Sequence, residues 1–268
     1  MSHWYRKDGS PCYEIIGKNG KTRDTTLRDA RTMNLFPSTT GVIGTIAAPG
    51  LVRWKVEQGI KATIKLGNSS YAGAFSDIGL LLATEDSIDP AFKRDVQYEA
   101  DKIAREARDK GQAIHDAVQH YIDGDMARVP DEYLEHCQGV ERTLVQHFGS
   151  MSEAAWITEE SFACREGYGG RSDLGSRVIP ALGDFKCKDF DENKLPECYD
   201  EHPMQVASYR HGLDYPEESR LFNLFVSTKV PGLCHIVFHT KEEIERGHKM
   251  FMAALELWHL TNNYRPVW

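Results

Sequence analysis

Two acids and a lysine, Asp173, Asp184 and Lys186, have the types and spacing of a metal-dependent hydrolytic site. They lie in two short apolar segments separated by 177–180, where arginine and proline interrupt the pattern and indicate a turn. If the two segments pair about the centre of this turn, Asp173 stands directly opposite Asp184, and Arg171 opposite Lys186. Opposed side chains in an antiparallel pair have Cβ atoms about 4.5–5.5 Å apart. Two carboxylates this close require a proton or a cation between them, and oxygen-rich sites suit Mg²⁺ or Mn²⁺.

Strand alternation sorts the residues around this pair onto two faces. Asp184 and Lys186 share one face, whereas Phe185 and Cys187 point to the other, which we expect to be core. An Asp-x-Lys triplet alone has little weight, because charged residues make up 27% of the chain and most such triplets are solvated strand edges. The metal interpretation therefore depends on the residues that accompany the triplet.

Three further elements carry candidate residues. Gly111 and His115 lie one turn apart in a helical stretch, and Gln205 and Tyr209 lie one turn apart in another. Glu160 belongs to an extended segment upstream of the first aspartate. Each has an ordinary alternative: a packed or surface histidine, an amphipathic helix face, and an exposed glutamate.

Taken in order, these motifs resemble those of a known enzyme family. The succession Gly-x-x-x-His, strand Glu, Gly-x-x-Asp, Asp-x-Lys and Gln-x-x-x-Tyr spans Gly111 to Tyr209, a little over a third of the chain. It resembles the RecB-type branch of the PD-(D/E)xK nucleases, which includes phage and mitochondrial genome maintenance exonucleases. The segment from Phe36 to Thr40, followed by a helix with Leu51 and Trp54, is similar to the amino-terminal region of the stand-alone members.

The resemblance implies a fold class and a set of metal ligands. The fold is α/β, with a central mixed β-sheet flanked by helices (a restriction-endonuclease-like core) and a mainly helical amino-terminal elaboration. Asp173 and Asp184 are implied as the principal ligands of Mg²⁺ or Mn²⁺, joined by the backbone carbonyl of Phe185 and by His115. Glu160 is implied to hold a second metal ion or a water bound to one.

The resemblance also implies roles for residues around the metal. Lys186 orients the attacking water, or helps to deprotonate it, and stabilises charge on the phosphate. Gln205 and Tyr209 buttress the site and touch the DNA backbone. The expected DNA-contacting residues are Gln205, Tyr209, Arg171, Ser161, Arg53, Trp54 and Lys55.

The chain departs from the family pattern at two positions. Ser172 stands where a proline often precedes the first aspartate, and the first acid of Asp-x-Lys is aspartate rather than glutamate. Some relatives hold an iron–sulfur cluster with one upstream cysteine and three beyond the Gln-x-x-x-Tyr helix. Only Cys234 lies beyond Tyr209 in this chain, so we expect no iron–sulfur cluster.

Bulk composition is that of a globular enzyme. The chain has 268 residues, of which 41% are hydrophobic, with a mean hydropathy of -0.49. No window approaches the roughly 20 apolar residues of a membrane helix, and the amino terminus lacks an apolar signal core. Six cysteines lack paired spacing, and Cys198-x-x-x-His202 has no second pair for zinc. We therefore expect reduced thiols in the cytoplasm of a prokaryotic or phage-infected cell.

A formal net charge of -8 argues against a uniformly basic DNA-binding surface. An acidic metal site contributes to this charge before the metal binds. Basic residues in 93–110 alternate with acids, which is typical of a solvated, ion-paired helix face. We expect DNA contacts instead on the helix that carries Arg53, Trp54, Lys55, Lys61 and Lys65.

Four aromatic residues outside the motif region are candidates for gripping a nucleic-acid strand. Stacking of a base on an aromatic side chain is worth about 1–3 kcal/mol. Most aromatic residues of the chain are expected in the core. The four candidates are Trp4, Tyr5, Phe36 and Trp54.

Two parts are predicted along the chain. Residues 1–88 form an amino-terminal hairpin and helical elaboration, and residues 89–268 form the nuclease core. Lys18-Asn19-Gly20 is a strong turn signal for a hairpin. Predicted helices cover 26–33, 39–46, 50–66, 89–123, 131–148 and 241–260, with a helix around Gln205, a loop at 67–74, and strands at 155–162, 220–228 and 233–239.

The sequence therefore predicts a Mg²⁺- or Mn²⁺-dependent DNA exonuclease of replication, recombination or repair. The likeness to small stand-alone members and the lack of a separate target-recognition domain favour an exonuclease. Two alternatives stay open: a structure-specific or CRISPR-associated endonuclease, and a catalytically silent nucleic-acid-binding module. The expected partner is a single- or double-stranded DNA end, with no membrane, and a homo-oligomer or a replication or recombination protein stays open as a further partner.

Overall fold

The computed structural model describes residues 3–46, 49–68 and 90–268. The strands in these ranges are β1 (Trp4–Tyr5), β2 (Glu14–Ile16), β3 (Thr22–Asp24), β4 (Phe36–Pro37), β5 (Ile157–Ala163), β6 (Gly169–Ser176), β7 (Ala181–Lys188), β8 (Arg220–Ser227) and β9 (Cys234–Phe238). The α-helices are α1 (Leu27–Met33), α2 (Thr39–Ile43), α3 (Pro49–Asn68), α4 (Pro90–Ile122), α5 (Leu134–Phe148), α6 (Met151–Ala154), α7 (Glu201–Gly212) and α8 (Lys241–Asn262). Single 3₁₀ turns lie at Met126–Arg128 and Asp131–Tyr133.

A five-stranded mixed sheet forms the centre of the fold. Its strands follow the order β5-β6-β7-β8-β9. β7 and β8 pair in parallel, and every other neighbouring pair in this sheet is antiparallel. Helix α7 connects β7 to β8, because parallel strands need a crossover connection. The predicted fold class, a central mixed sheet flanked by helices, is confirmed.

Both faces of the sheet are covered by apolar side chains from helices. On one face, Leu182 of β7 belongs to a buried cluster that includes Met204 of α7 and residues of α8. On the other face, Phe185 belongs to a second cluster with Leu144 of α5 and the last turns of α4. The alternation predicted for Phe185 is therefore confirmed, and it leaves the even-numbered residues of β7 facing α7.

The β6–β7 hairpin has the predicted register next to its turn, but the predicted pairs Asp173–Asp184 and Arg171–Lys186 lie beyond the observed ladder. Hydrogen-bonded partners run from Ser176–Ala181 to Leu174–Gly183, about a turn at 177–180. Gly183 packs against the ring of Phe222, and a Cβ atom at this position would lie 2.3 Å from that ring. Glycine is therefore required directly before Asp184 for the parallel β7–β8 pair to close.

The amino-terminal strands are part of the core, contrary to the prediction that they grip a strand of nucleic acid. Trp4, Tyr5 and Phe36 are 2%, 3% and 0% exposed. β1 pairs with β4, and Trp4 packs at 5.9 Å from Trp258 of α8. These three aromatic residues are hydrophobic-core residues, and only Trp54 of the four candidates is exposed, at 37%.

The other predicted elements agree with the structure in type. The first hairpin forms between β2 and β3. Helices α1 and α8 each begin with a reciprocal capping box, formed by Thr26 with Asp29 and by Thr240 with Glu243. Of the predicted loop at 67–74, residues 67 and 68 belong to α3 and 69–74 lie outside the described residues, as does residue 89, the first of the predicted helix 89–123.

Two compact units divide the described residues. The first consists of residues up to 46 together with 113–268, and the second lies within 47–112. The first unit contains the five-stranded sheet and the part of α4 from residue 113. The predicted boundary at residues 88 and 89 lies outside the described residues and stays a prediction.

Within the described ranges, no helix is both long and apolar enough to cross a lipid bilayer. The six cysteines are free thiols. Cys198 Sγ lies 3.2 Å from His202 Nδ1, so the two residues of the Cys198-x-x-x-His202 motif contact each other.

Candidate metal centre

Three side chains from three elements converge at the end of the β6–β7 ladder. His115 of α4, Glu159 of β5 and Asp173 of β6 each offer one ligand atom, and these atoms lie within 4.8 Å of one another. His115 Nε2 lies 3.3 Å from Asp173 Oδ1 and 3.9 Å from Glu159 Oε1. The His115 ring packs edge-on against Phe185 at 5.8 Å between centroids, which fixes its position over the sheet.

Glu159 reaches this group through an unusual backbone conformation. Its φ is +54°, in the left-handed region, which costs a non-glycine residue about 1–2 kcal/mol. Thr158 and Glu160 on either side pair with Leu174 and Ser172, but Glu159 makes no ladder pair with Asp173. Strained residues of this kind cluster at functional sites, and here the strain accompanies the placement of a carboxylate beside Asp173.

Asp173 sits where β6 and β7 stop pairing. The last hydrogen-bonded partners are Leu174 and Gly183. Two residues beyond Gly183, the Phe185 N–H donates to Asp173 Oδ2 at 2.7 Å instead of to a β6 carbonyl. The carboxylate therefore occupies the opening between the two strands, with its other oxygen directed towards His115.

These residues fit a divalent cation. Among the described residues, the buried atoms Glu159 Oε1 and His115 Nδ1 have no hydrogen-bond partner. A buried unsatisfied polar atom costs about 1–3 kcal/mol, so binding of a cation by the Glu159 oxygen would remove this cost. Two carboxylate oxygens and one imidazole nitrogen form a donor set that suits Mn²⁺, and the carboxylates suit Mg²⁺.

A second buried network adjoins this group on the α7 side of β7. Lys186 Nζ lies 2.6 Å from Asp184 Oδ2 and donates to Gln205 Oε1 at 2.8 Å. Gln205 Nε2 donates to Asp184 Oδ1 at 2.6 Å and contacts Tyr209 OH at 2.7 Å. Asn223 Nδ2 donates to Asp184 Oδ2 at 3.3 Å. Both oxygens of Asp184 therefore have partners, and Lys186 is held in one position.

Burial and neighbouring charge shift the proton affinities of these groups in opposite directions. Burial alone lowers the pKa of His115, but the charges of Asp173, Glu159 and Asp184 outweigh it and raise that pKa to about 9. Burial, together with the Asp173 charge, raises the pKa of Asp184 to about 7. Burial raises the pKa of Asp173, yet His115 and Lys186 outweigh it and the net pKa is lowered. The acids and the imidazole thus compete for protons when no metal is bound.

Lys186 stays cationic in this network. Burial lowers its pKa, but the charges of Asp184 and Asp173 raise it by more, and the net pKa lies above the usual value for lysine. An ammonium group held beside two carboxylates is a hydrogen-bond donor, with no free electron pair to act as a base. Its chemical capacity here is to orient and to stabilise negative charge.

Arg171 of β6 and Ser161 of β5 flank the group. They are register partners in the sheet. Arg171 Nε lies 2.5 Å from Glu159 Oε2, and its side chain is 39% exposed. The Arg171 guanidinium thus neutralises one Glu159 oxygen and reaches the surface beside the centre.

Glu160 is not brought into this group, contrary to the role that the motif resemblance implies. It accepts from Arg177 Nη2 at 2.8 Å and from Tyr215 OH at 3.0 Å. The physical reason is strand alternation: Glu160 stands opposite Ser172, and the carboxylate that reaches Asp173 belongs to its neighbour Glu159. The three-residue group likewise leaves out Asp184, whose carboxylate is bonded to Lys186, Gln205 and Asn223.

The remaining predicted DNA-contacting residues divide into two groups. Gln205 and Tyr209 are 7% and 3% exposed and bonded to the Asp184 network, so their geometry fits the buttressing role and not a contact with DNA. Arg53, Trp54 and Lys55 lie in α3, within the second unit. Trp54 and Lys55 are exposed.

Three residues of the site are missing from the sequence-based set. Glu159 is directly followed by Glu160, and symmetric pairing of β5 with β6 about the turn at 165–167 is the signal that could have selected Glu159. Asn223 and His239 form a bonded pair, with His239 Nε2 at 2.8 Å from Asn223 Oδ1. An asparagine within the apolar run of β8 is the signal that could have identified Asn223.

No protein-family model matches the chain, and no curated protein matches its sequence. Among solved structures, it is similar to one named "Putative exonuclease", from Eubacterium rectale, with 11% identity and a TM-score of 0.41, over 57% of this chain and 68% of that one. It is also similar to SSO0001, with 18% identity and a TM-score of 0.26, over 46% of this chain and 57% of that one. Similarities this distant do not identify a function.

Proposed function

We propose that the protein is a divalent-metal-dependent nuclease that hydrolyses phosphodiester bonds in DNA. The single observation that supports this most strongly is the group of His115, Glu159 and Asp173, with an orphaned Glu159 oxygen, beside the buried pair of Asp184 and Lys186. A metal centre next to a fixed ammonium group suits phosphodiester hydrolysis, because the metal can activate the attacking water and both groups can stabilise charge on the phosphate.

His115, Glu159 and Asp173 would hold Mg²⁺ or Mn²⁺, with the Phe185 carbonyl as a further proposed donor. When bound, the ion supplies a water of lowered proton affinity and neutralises charge that develops on the phosphate. Arg171 keeps the Glu159 carboxylate aligned through its ion pair. The Phe185 N–H does the same for Asp173.

Lys186 performs the second function of the proposed site. Asp184 and Gln205 hold its ammonium group in place, so little side-chain entropy remains to be lost when a phosphate arrives. The ammonium then donates to a phosphate oxygen, and charge-assisted hydrogen bonds of this kind are roughly twice as strong as neutral ones. Asp184 contributes the counter-charge that keeps Lys186 protonated.

We further propose that the protein cleaves DNA from its ends, as an exonuclease does. It rests on the similarity of the motifs to the RecB-type branch of the PD-(D/E)xK nucleases and its stand-alone exonucleases. A role in replication, recombination or repair, in a phage-infected or other prokaryotic cell, follows from the same resemblance. A structure-specific endonuclease is the alternative within this chemistry.

Digestion of end-labelled linear DNA tests the proposal. Wild-type protein with Mg²⁺ or Mn²⁺ should release nucleotides from single- or double-stranded ends, and Lys186→Ala should reduce the rate at least about 100-fold, as loss of one preorganised donor does. Covalently closed circular DNA should resist. Cleavage of circles as fast as of linear DNA would replace the exonuclease by an endonuclease. DNA binding without cleavage by either protein would indicate a silent binding module.

A further inference from the structure

Lys188 is the residue of β7 that follows Lys186 on the same face. Side chains alternate along a strand, so Asp184, Lys186 and Lys188 all face α7. Two residues of strand separate Lys186 from Lys188 by about 6.6–6.8 Å. This is close to the distance between successive phosphates of an extended nucleic-acid strand, so the two lysines have the spacing of neighbouring phosphates.

Lys188 is held in position without a counter-charge. Its Nζ lies 4.5 Å from the centroid of the Tyr199 ring and 5.0 Å from that of Phe225, and it donates to the Glu197 carbonyl at 3.2 Å. Within the part of the chain that the structure describes, no carboxylate lies within ion-pair distance of Lys188. A half-buried ammonium that contacts two rings and a carbonyl is positioned, yet it keeps its full charge for an external anion.

Lys186 and Lys188 therefore differ in function despite their shared face. Lys186 is neutralised by Asp184 at 2.6 Å, and its charge is balanced within the site. The charge of Lys188 is not balanced by a carboxylate of the described residues. Tyr199 beside it is 40% exposed, so Lys188 is open to solvent on that side. Burial and the charge of Lys186 lower the pKa of Lys188, whereas the aromatic rings stabilise its cation by about 0.5–1 kcal/mol at exposed sites and hold it in place.

We propose that Lys188, held by Tyr199, is the subsite for the phosphate next to the scissile one. This inference rests on the proposed nuclease function and deepens it, because it predicts a preference for substrates with more than one phosphodiester. Lys188 is a substrate-binding residue in this account and takes no part in the chemical step.

The test compares two substrates for Lys188→Gln, Lys188→Arg and the wild type. One is an end-labelled oligodeoxynucleotide, and the other is the p-nitrophenyl ester of thymidine 5′-phosphate, which has one diester and no neighbouring phosphate. Lys188→Gln should lower kcat/KM for the oligonucleotide about 10- to 100-fold, the loss expected for one charge-assisted hydrogen bond, and leave the mononucleotide ester within about twofold. Lys188→Arg should retain most of the oligonucleotide rate.

A neutral methylphosphonate at the second linkage from the labelled end, directly beside the scissile terminal linkage, makes the test specific to one phosphate. The wild type should lose about as much on this substrate as Lys188→Gln loses on the unmodified one, and the variant should lose little more. Lys249→Gln, an exposed lysine of α8, is the charge-matched control and should behave as the wild type. Equal losses by Lys188→Gln on both the oligonucleotide and the mononucleotide ester would overturn the subsite.

Binding of a labelled single-stranded oligonucleotide separates this inference from the proposed function. Fluorescence anisotropy at several salt concentrations gives the slope of log affinity against log salt, and Lys188→Gln should reduce its magnitude by about 0.7 for one lost phosphate contact. An unchanged slope would refute the subsite even if the protein is an active nuclease. A reduced slope in a protein that cleaves neither substrate would refute the nuclease function and retain the phosphate contact.

Discussion

Replacing Glu159 by glutamine removes one charge from the proposed metal centre while nearly preserving the shape of the side chain. The neighbouring change, Glu160→Gln, removes the same charge one residue along the same strand. Only Glu159→Gln should weaken metal binding, because Glu159 lies with His115 and Asp173, whereas Glu160 bonds to Arg177 and Tyr215.

The expected size of the effect follows from the donor spacing. Three atoms within 4.8 Å of one another can all be reached from a common point about 2.8 Å or less from each. A divalent cation and one carboxylate charge at about 2.8 Å interact by roughly 3 kcal/mol even at the dielectric constant of water. Glu159→Gln should therefore weaken Mn²⁺ binding about 100-fold.

Glu160→Gln should instead affect stability. It removes the charge that pairs with Arg177, whose side chain is 45% exposed, so the lost ion pair is worth about 0.5–1 kcal/mol. Mn²⁺ affinity should stay within about threefold of the wild type. Urea unfolding of the metal-free proteins measures this cost in stability.

Titration calorimetry with Mn²⁺ on wild type, Glu159→Gln and Glu160→Gln measures the affinities directly. Far-ultraviolet circular dichroism of each protein confirms that it is folded before the titration. Weaker Mn²⁺ binding by Glu160→Gln with unchanged binding by Glu159→Gln would refute the assignment of Glu159. Equal weakening by both would show that the charge acts at long range and not as a ligand.

Four further perturbations have defined outcomes. Lys186→Met should leave Mn²⁺ affinity within about tenfold of the wild type. It should lower the free energy of unfolding in urea by about 3–5 kcal/mol, because it leaves the buried Asp184 carboxylate without its counter-charge. The double variant Lys186→Met with Asp184→Asn should recover most of this loss, and no recovery would contradict the pairing of Lys186 with Asp184. Because its neighbouring carboxylates outweigh the effect of burial and raise the pKa of His115 to about 9, Mn²⁺ binding near pH 7 should release a proton, measured by calorimetry in buffers of different ionisation enthalpy. The same raised pKa makes His115 stabilise the metal-free protein below pH 6.5, an effect lost as pH rises through about 9; stability that rises over this range would contradict it. Trp4→Ala should lower the free energy of unfolding by about 3–5 kcal/mol without changing the KM for DNA. An increased KM with unchanged stability would indicate that Trp4 contacts nucleic acid.

Local signals in the sequence were sufficient for much of the architecture. The turn at 177–180 determines the register of β6 and β7, because the symmetric pairing that it implies is the one observed from Ser176–Ala181 to Leu174–Gly183. Capping residues mark the start of α1 and α8. Alternation in β7 correctly assigns Phe185 to the core.

Choosing Glu159 over Glu160 as the glutamate of the site requires the pairing register of β5 with β6. β5 and β6 pair about Glu166, so that Thr158 faces Leu174 and Glu160 faces Ser172. The turn at 165–167 would have placed Glu159 opposite Asp173 by the same symmetric pairing that succeeded for β6 and β7. The left-handed φ of Glu159 could not be foreseen, because the residue itself has no preference for this conformation.

Tertiary packing explains the other differences. An aromatic residue near the amino terminus has the same local pattern whether it binds a base or fills the core, and Trp4 is buried because α8 brings Trp258 against it. Asn223 and His239 join the site from β8 and from the residue after β9, through a pairing that no local pattern specifies. The sequence predicts which elements form, and the non-local strand order determines which polar side chains meet.

The most direct test of the metal centre is a crystal structure of the protein grown with Mn²⁺, with diffraction data collected at an energy where manganese scatters anomalously. We expect an anomalous peak bound by His115, Glu159 and Asp173, beside Lys186, and its loss in crystals of Glu159→Gln. A peak bound by Glu160, or none at these three residues at saturating Mn²⁺, would contradict the proposed centre.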